Sequence, residues 1–154
     1  MLVTYIVDVP VPLYNRDILR LAANIPHLGL LERADGRAEC SSAVCGSRVS
    51  VAVRLDEEGR VAELGQEVRA CALGQASAAL MGRHAIGRSP EELAEARDEL
   101  ADFLKGQRDG PGMWPGLDVL AVAQPYSGRH SAILLPFEAV AAAAGSAVAR
   151  AEAG

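Results

Sequence analysis

An α+β domain, with a small antiparallel β-sheet of two to three strands packed on one face by helices, is the fold class this sequence predicts. Three observations carry it. Val49, Val51, Val53 and Leu55 alternate with polar or small residues, and Ala62, Leu64, Val68 and Ala70 resume the alternation after Asp56-Glu57-Glu58-Gly59. That period of two marks a hairpin of half-buried strands, with Gln66 as its one lapse. After Cys71 the period changes, so that Leu73, Ala76, Ser77, Leu80 and His84 share a helical face. Ser89-Pro90-Glu91-Glu92 then supplies an N-cap, a proline at the first helical position and a capping-box glutamate.

Within the hairpin, setting Val49 opposite Val68 and Val53 opposite Leu64 also sets Arg54 opposite Glu63, a favourable cross-strand pair. The same register sets Arg48 opposite Arg69, which needs an acidic group nearby. It also returns Cys45 and Cys71 to the open end of the hairpin as neighbours, although 26 residues separate them in sequence.

The remaining elements follow in chain order. Leu2 to Val9 is apolar and β-branched, a short strand or an extended arm. Pro12 can open a helix whose face holds Tyr14, Ile18, Leu21, Ala22 and Ile25, with Pro26 ending it. His27 marks a turn. Arg37 to Ser42 reads as a short edge strand carrying Cys40. Small residues from Ala72 to Ala79 let the helix after Cys71 pack closely, and they put Cys71 at or just before its N-terminus, where free N–H groups favour a thiolate. Leu93, Ala96, Leu100, Phe103 and Leu104 form the buried stripe of the capped helix, which Gly106 stops. Trp114 sits in a Gly/Pro loop. Pro115 to Ala123 is expected to form one short helix of two to three turns. Arg129 to Glu152 reads as helix, kinked or split at Pro136.

Length and composition bound the function. The chain has 154 residues, enough for one domain that buries about 68–70% of its unfolded surface without a disulfide. A net charge of -5 argues against a broad nucleic-acid surface, and 4% aromatic residues argue against base-stacking platforms. No apolar stretch reads as long enough to span a membrane. Three cysteines, an odd number, together with a start lacking a basic flank, imply free thiols in a reducing cytoplasm.

Four segments carry a resemblance. Leu13-Tyr14-Asn15-Arg16-Asp17-Ile18-Leu19 precedes Cys45-Gly46-Ser47; Cys71-Ala72-Leu73-Gly74-Gln75-Ala76-Ser77-Ala78 follows the hairpin; Arg129-His130-Ser131-Ala132-Ile133-Leu134 opens the last helix. In order and spacing they resemble the U-type iron–sulfur cluster assembly scaffolds: IscU, SufU and the N-terminal domain of NifU. The resemblance covers about residues 13 to 145 and implies a single SufE/NifU-like domain. It implies Cys45 and Cys71 as ligands of iron or of a labile iron–sulfur cluster, [2Fe-2S] or a simpler Zn2+/Fe2+ site, with His130 completing the shell. It implies a cysteine desulfurase as sulfur donor and apo-proteins as recipients, for a monomer or homodimer without enzymatic turnover. Two positions depart from the family: Ser47 stands for its aspartate and Ser131 for its third cysteine.

Thiolate and imidazole suit zinc and ferrous iron, and Cys45, Cys71 and His130 match a three-ligand site with one open position. A cluster core usually takes four protein ligands, so water, glutathione, a second protein or Cys40 would have to complete it. Cys40 reads otherwise as an edge-strand residue, His84 as a capping or packing residue, and Glu91-Glu92-Glu95 as a solvated helix start. No acid is placed to orient His130 as a base for Ser131. A protein that has lost its cluster and docks or regulates the assembly machinery is the alternative. A zinc enzyme lacks a convincing general base.

Overall fold

The computed structural model describes residues 13–153; the expectations for Leu2 to Val9 and for Pro12 lie outside them. Helix α1, Arg16–Ala22, starts at Asn15, whose Oδ1 accepts the Ile18 N–H at 3.0 Å. It ends four residues before Pro26, earlier than its apolar face suggests. Asn24 N–H bonds the Leu21 carbonyl and its side chain bonds the Arg20 carbonyl, so local hydrogen bonds terminate the helix first.

Strands β1 (Gly36–Ser41), β2 (Arg48–Leu55) and β3 (Val61–Arg69) form an antiparallel sheet in the order β1-β2-β3. From Arg48 to Arg54 the β2–β3 register is the expected one: Val49 faces Val68, Val53 faces Leu64, and Arg54 and Glu63 make an ion pair at 3.2 Å. A bulge then sets Leu55 opposite Val61, so Val61 is buried where the alternation expected Ala62, which is exposed. The lapse at Gln66 has a physical cause. Gln66 is fully buried on the helix-facing side, where its Nε2 donates to the Pro26 and Ala78 carbonyls at 3.0 and 3.2 Å. A buried amide survives there because the chain after α1 brings it partners. The opposite face is not bare. Gly29 to Leu31 cross it at Gly65, where a Cβ would collide with their backbone.

Helix α2, Ala72–His84, leads through a turn to α3, Pro90–Leu104, which begins with the expected capping box: Ser89 Oγ accepts from Glu92 N–H at 3.2 Å and Glu92 accepts from Ser89 N–H at 3.0 Å. The five stripe residues of α3 are the ones buried. Trp114 is buried too, its indole N–H on the Leu80 carbonyl at 2.9 Å and its ring edge-on to Phe137. Leu117–Ala123 forms the expected short helix as a 3-10 helix, entered through Gly116 at φ +83° and starting two residues after Pro115.

Helix α4, His130–Ala153, is unbroken, with Pro136 buried inside it. Proline lacks the N–H that would bond Ala132, and its ring crowds the preceding turn. Ser77 of α2 donates to the neighbouring carbonyl, that of Ile133, at 2.6 Å and ties α2 to α4 beside the proline. Alanines let α4 lie directly on β1: a Cβ at Gly36 would collide with the α4 backbone at Ala143 and Ala147. One expectation needs correcting. Residues 127–153 are long and apolar enough, by length and composition, to cross a membrane, and that apolarity is spent largely on the core, where Ile133, Leu135, Phe137 and Val140 are buried.

Candidate metal and sulfur site

Three chain segments converge at the open end of the hairpin. The first is the loop from Ser42 to Ser47 that joins β1 to β2. It closes on itself: Ser42 N–H bonds the Ser47 carbonyl and Gly46 N–H bonds the Ser42 carbonyl, both at 2.9 Å. Gly46 sits at φ +70°, where a side chain is strained. The second segment is the start of α2 and the third the start of α4. Ser42 Oγ lies 2.8 Å from Ser131 Oγ, and Gly74 packs so close to Ala132 that a Cβ would sit 3.2 Å from its carbonyl oxygen.

Cys45 is exposed at the tip of this loop, its Sγ 3.0 Å from Ser47 Oγ. Ser42 and Ser47 are buried beneath it. The Ser47 hydroxyl first, then that of Ser42, with the Ser47 N–H and the Ser131 hydroxyl behind them, stabilise the thiolate, so the Cys45 pKa falls from 9.0 to about 7 although burial opposes the shift. Cys71 occupies the N-cap of α2, as expected, half-buried and with its side chain making no capping bond. Cys40, in β1 opposite Val49, is half-buried against the core, and burial first, then Glu138 and Glu39, push its thiol up.

His130 opens α4. Its Nε2 lies 2.9 Å from the Gln124 carbonyl and 3.2 Å from that of Ala123. Carbonyls only accept, so Nε2 carries a proton and donates to them, which fixes the orientation of the ring. Among the described residues, no three His, Cys, Asp or Glu side chains form a group that could hold a metal ion. The donor set offers two thiols at the hairpin's open end, flanked by hydroxyls that stay protonated near neutral pH. It does not amount to a four-ligand cage on one chain.

The remaining candidates have structural roles. His84 packs edge-on to Trp114 at 6.4 Å, and His27 turns the chain at φ +60°. Glu92 pairs with Arg60 at 2.7 Å. Sequence reasoning missed Ser42: a serine at a strand end has no signature until α4 brings Ser131 against it.

The sequence model of the NifU-like N terminal domain family matches residues 13–124. The chain belongs to this family. The match ends before His130 and Ser131. The structure is similar to that of a nitrogen-fixing NifU-like protein (N-terminal) from Brucella abortus, at 36% identity and TM-score 0.84, covering 89% of this chain and 95% of that one. It also shares the fold of a putative iron–sulfur cluster assembly scaffold protein for the SUF system from Fervidobacterium islandicum AW-1, at 21% identity and TM-score 0.78, covering 86% and 96%. No curated protein matches the sequence. In this NifU-like domain the Cys45 and Cys71 motifs lie inside the matched span, and Ser47 lies there with them.

Proposed function

We propose that this NifU-like domain serves iron–sulfur cluster assembly as an acceptor and carrier: it takes sulfur from a cysteine desulfurase and holds iron, or a labile cluster, for transfer to apo-proteins. The observation that carries the reading is Cys45, an exposed thiol near neutrality at the tip of a loop cradled by serine hydroxyls. About half of it is thiolate near pH 7, the form that attacks sulfur and binds metal. In sulfur uptake the Cys45 thiolate attacks the outer sulfur of a donor persulfide. One S–S bond forms on Cys45, the donor's S–S bond breaks, and the donor leaves as thiolate, with no net oxidation. Cys71 is the second thiol at the same end. His130 would join them only on loading, since the described residues form no three-donor group, and the cargo or a partner supplies the rest.

Such a sparse ligand set favours release, which a carrier needs. Iron, zinc and acid-labile sulfide measured on protein purified without oxygen test this reading. Wild-type protein is expected to bind metal and Cys45→Ala/Cys71→Ala to lose it; wild-type protein without metal, indistinguishable from that double variant, overturns it.

A second reading is a cluster-free or zinc-bound member that docks on the assembly machinery. It predicts desulfurase binding that survives loss of both thiols.

A further inference from the structure

On the sheet face turned away from the helices, one row sets two like charges directly opposite each other. Arg54 and Glu63 pair across the strands at 3.2 Å, and in the row of Glu39, Ser50 and Glu67 the Ser50 hydroxyl donates to Glu39 at 2.9 Å. The last row, beside the thiols, sets Arg48 directly opposite Arg69. Like charges directly opposite each other destabilise a sheet pair. Glu39 is the one acid that answers them, 4.0 Å from Arg48 and shared with Ser50; among the described residues Arg69 has no ion pair or side-chain hydrogen bond. Both arginines are exposed. The pair stands in a chain of net charge -5, so overall composition does not explain it.

The pair flanks the site in sequence as well as in space: Arg48 follows Ser47, and Arg69 lies two residues before Cys71. On the loop beside it, Val44 is 79% exposed next to Cys45. An apolar side chain at the reactive tip, beside two exposed guanidiniums that share a single acid at 4.0 Å, has the anatomy of an interface whose partner is negatively charged. A second copy of this chain meeting it through the same end would set these arginines against their own counterparts.

We infer that Arg48 and Arg69 form a docking pair for an acidic segment of the protein that delivers sulfur to Cys45. The inference rests on the proposed function above and names how its partner is recognised. Guanidinium pairs bind carboxylates in a planar, two-point fashion, which steers an acidic segment and fixes its register. The site then needs no preformed cage, because docking brings the donor to an already exposed thiol.

The test is binding of the full-length chain to the purified cysteine desulfurase of the same organism, at low and at physiological salt. Arg48→Gln/Arg69→Gln is expected to weaken binding at least about tenfold at low salt and to remove most of the salt dependence. Arg48→Glu/Arg69→Glu is expected to abolish it, whereas Arg54→Gln on the same face leaves it unchanged. Thermal unfolding of the variants at or above the wild-type midpoint confirms that the fold is intact. Wild-type binding that the Gln pair leaves untouched, salt dependence included, overturns this inference and leaves the proposed function standing. A wild-type chain that does not bind the desulfurase at all overturns both. Self-association of the wild type that the Gln pair abolishes replaces the acidic partner with a second copy.

Discussion

Cys40 ends a strand and packs against the core, where burial and then the carboxylates of Glu138 and Glu39 keep its thiol protonated. Cys45, five residues on, projects from a loop in which the Ser47 and Ser42 hydroxyls hold its pKa at about 7. The residue type is the same and the sequence distance is small. The difference is what lies under each sulfur: an apolar sheet–helix interface with acids at its margin, or hydroxyls that donate to an anion. Reactivity here is a property of position rather than of cysteine content. A loop closed by its own backbone bonds sets that position by aiming one thiol outward and two serines inward.

The comparison can be broken at the point that seats β1 on α4. Gly36→Ala places a Cβ against the α4 backbone at Ala143 and Ala147, which cannot retreat as a side-chain tip can. We expect a loss of about 3 kcal/mol in chemical denaturation, the upper part of the range for overpacking. The variant is also expected to quicken alkylation of Cys40, because the interface that protects it opens. Next comes the thiol contrast itself. The rate of Cys45 alkylation should rise with pH through a midpoint near 7, and Ser47→Ala should move that midpoint up toward the ordinary 9.0. Ser42, the backbone N–H at position 47 and Ser131 stay in place, so the midpoint should stop short of 9.0, and the variant should react several times more slowly at pH 7.

Ser89→Ala, at the other end of the molecule, sharpens the comparison as a control. It removes the N-cap of α3 and is expected to cost about 1 kcal/mol while leaving the Cys45 midpoint in place. Glu92 in the same cap is held at about 2, first by the Ser89 N–H and then by Arg60. Its contribution is therefore full above the ordinary carboxylate value of 4.5 and is lost as pH falls toward 2. Glu92→Gln should flatten the acid limb of a stability–pH curve. The smallest effect is expected of Glu138→Gln, which removes the larger of the two carboxylate influences on Cys40 and so lowers that thiol's pKa, leaving burial in force.

The hairpin was legible because its alternation holds on both strands but for Gln66 and the Arg54–Glu63 pair agrees with it. The α3 cap was legible because four adjacent residues spell it. Where the reading fell short, distant partners decided the outcome. Gln66 broke the pattern because Pro26 and Ala78 offer carbonyls to a buried amide. Pro136 did not split α4, which runs unbroken through it and is tied to α2 by the Ser77 bond to the Ile133 carbonyl. The site divides the same way. The positions of Cys45 and Cys71 followed from motif order and strand pairing. The Ser42–Ser131 contact joins residues 89 apart in sequence, and the anchoring of His130 Nε2 on two carbonyls depends on the 3-10 turn before it.

The most direct test is to map transferred sulfur onto the individual thiols. The chain is incubated without oxygen with cysteine desulfurase and cysteine, and peptide mass spectrometry then locates each added sulfur. Added sulfur on Cys45, with Cys40 unmodified and the signal lost in Cys45→Ala, is the predicted result. Sulfur accumulating on Cys40, or an unmodified Cys45 beside an active desulfurase, contradicts the assignment of the exposed loop as the acceptor.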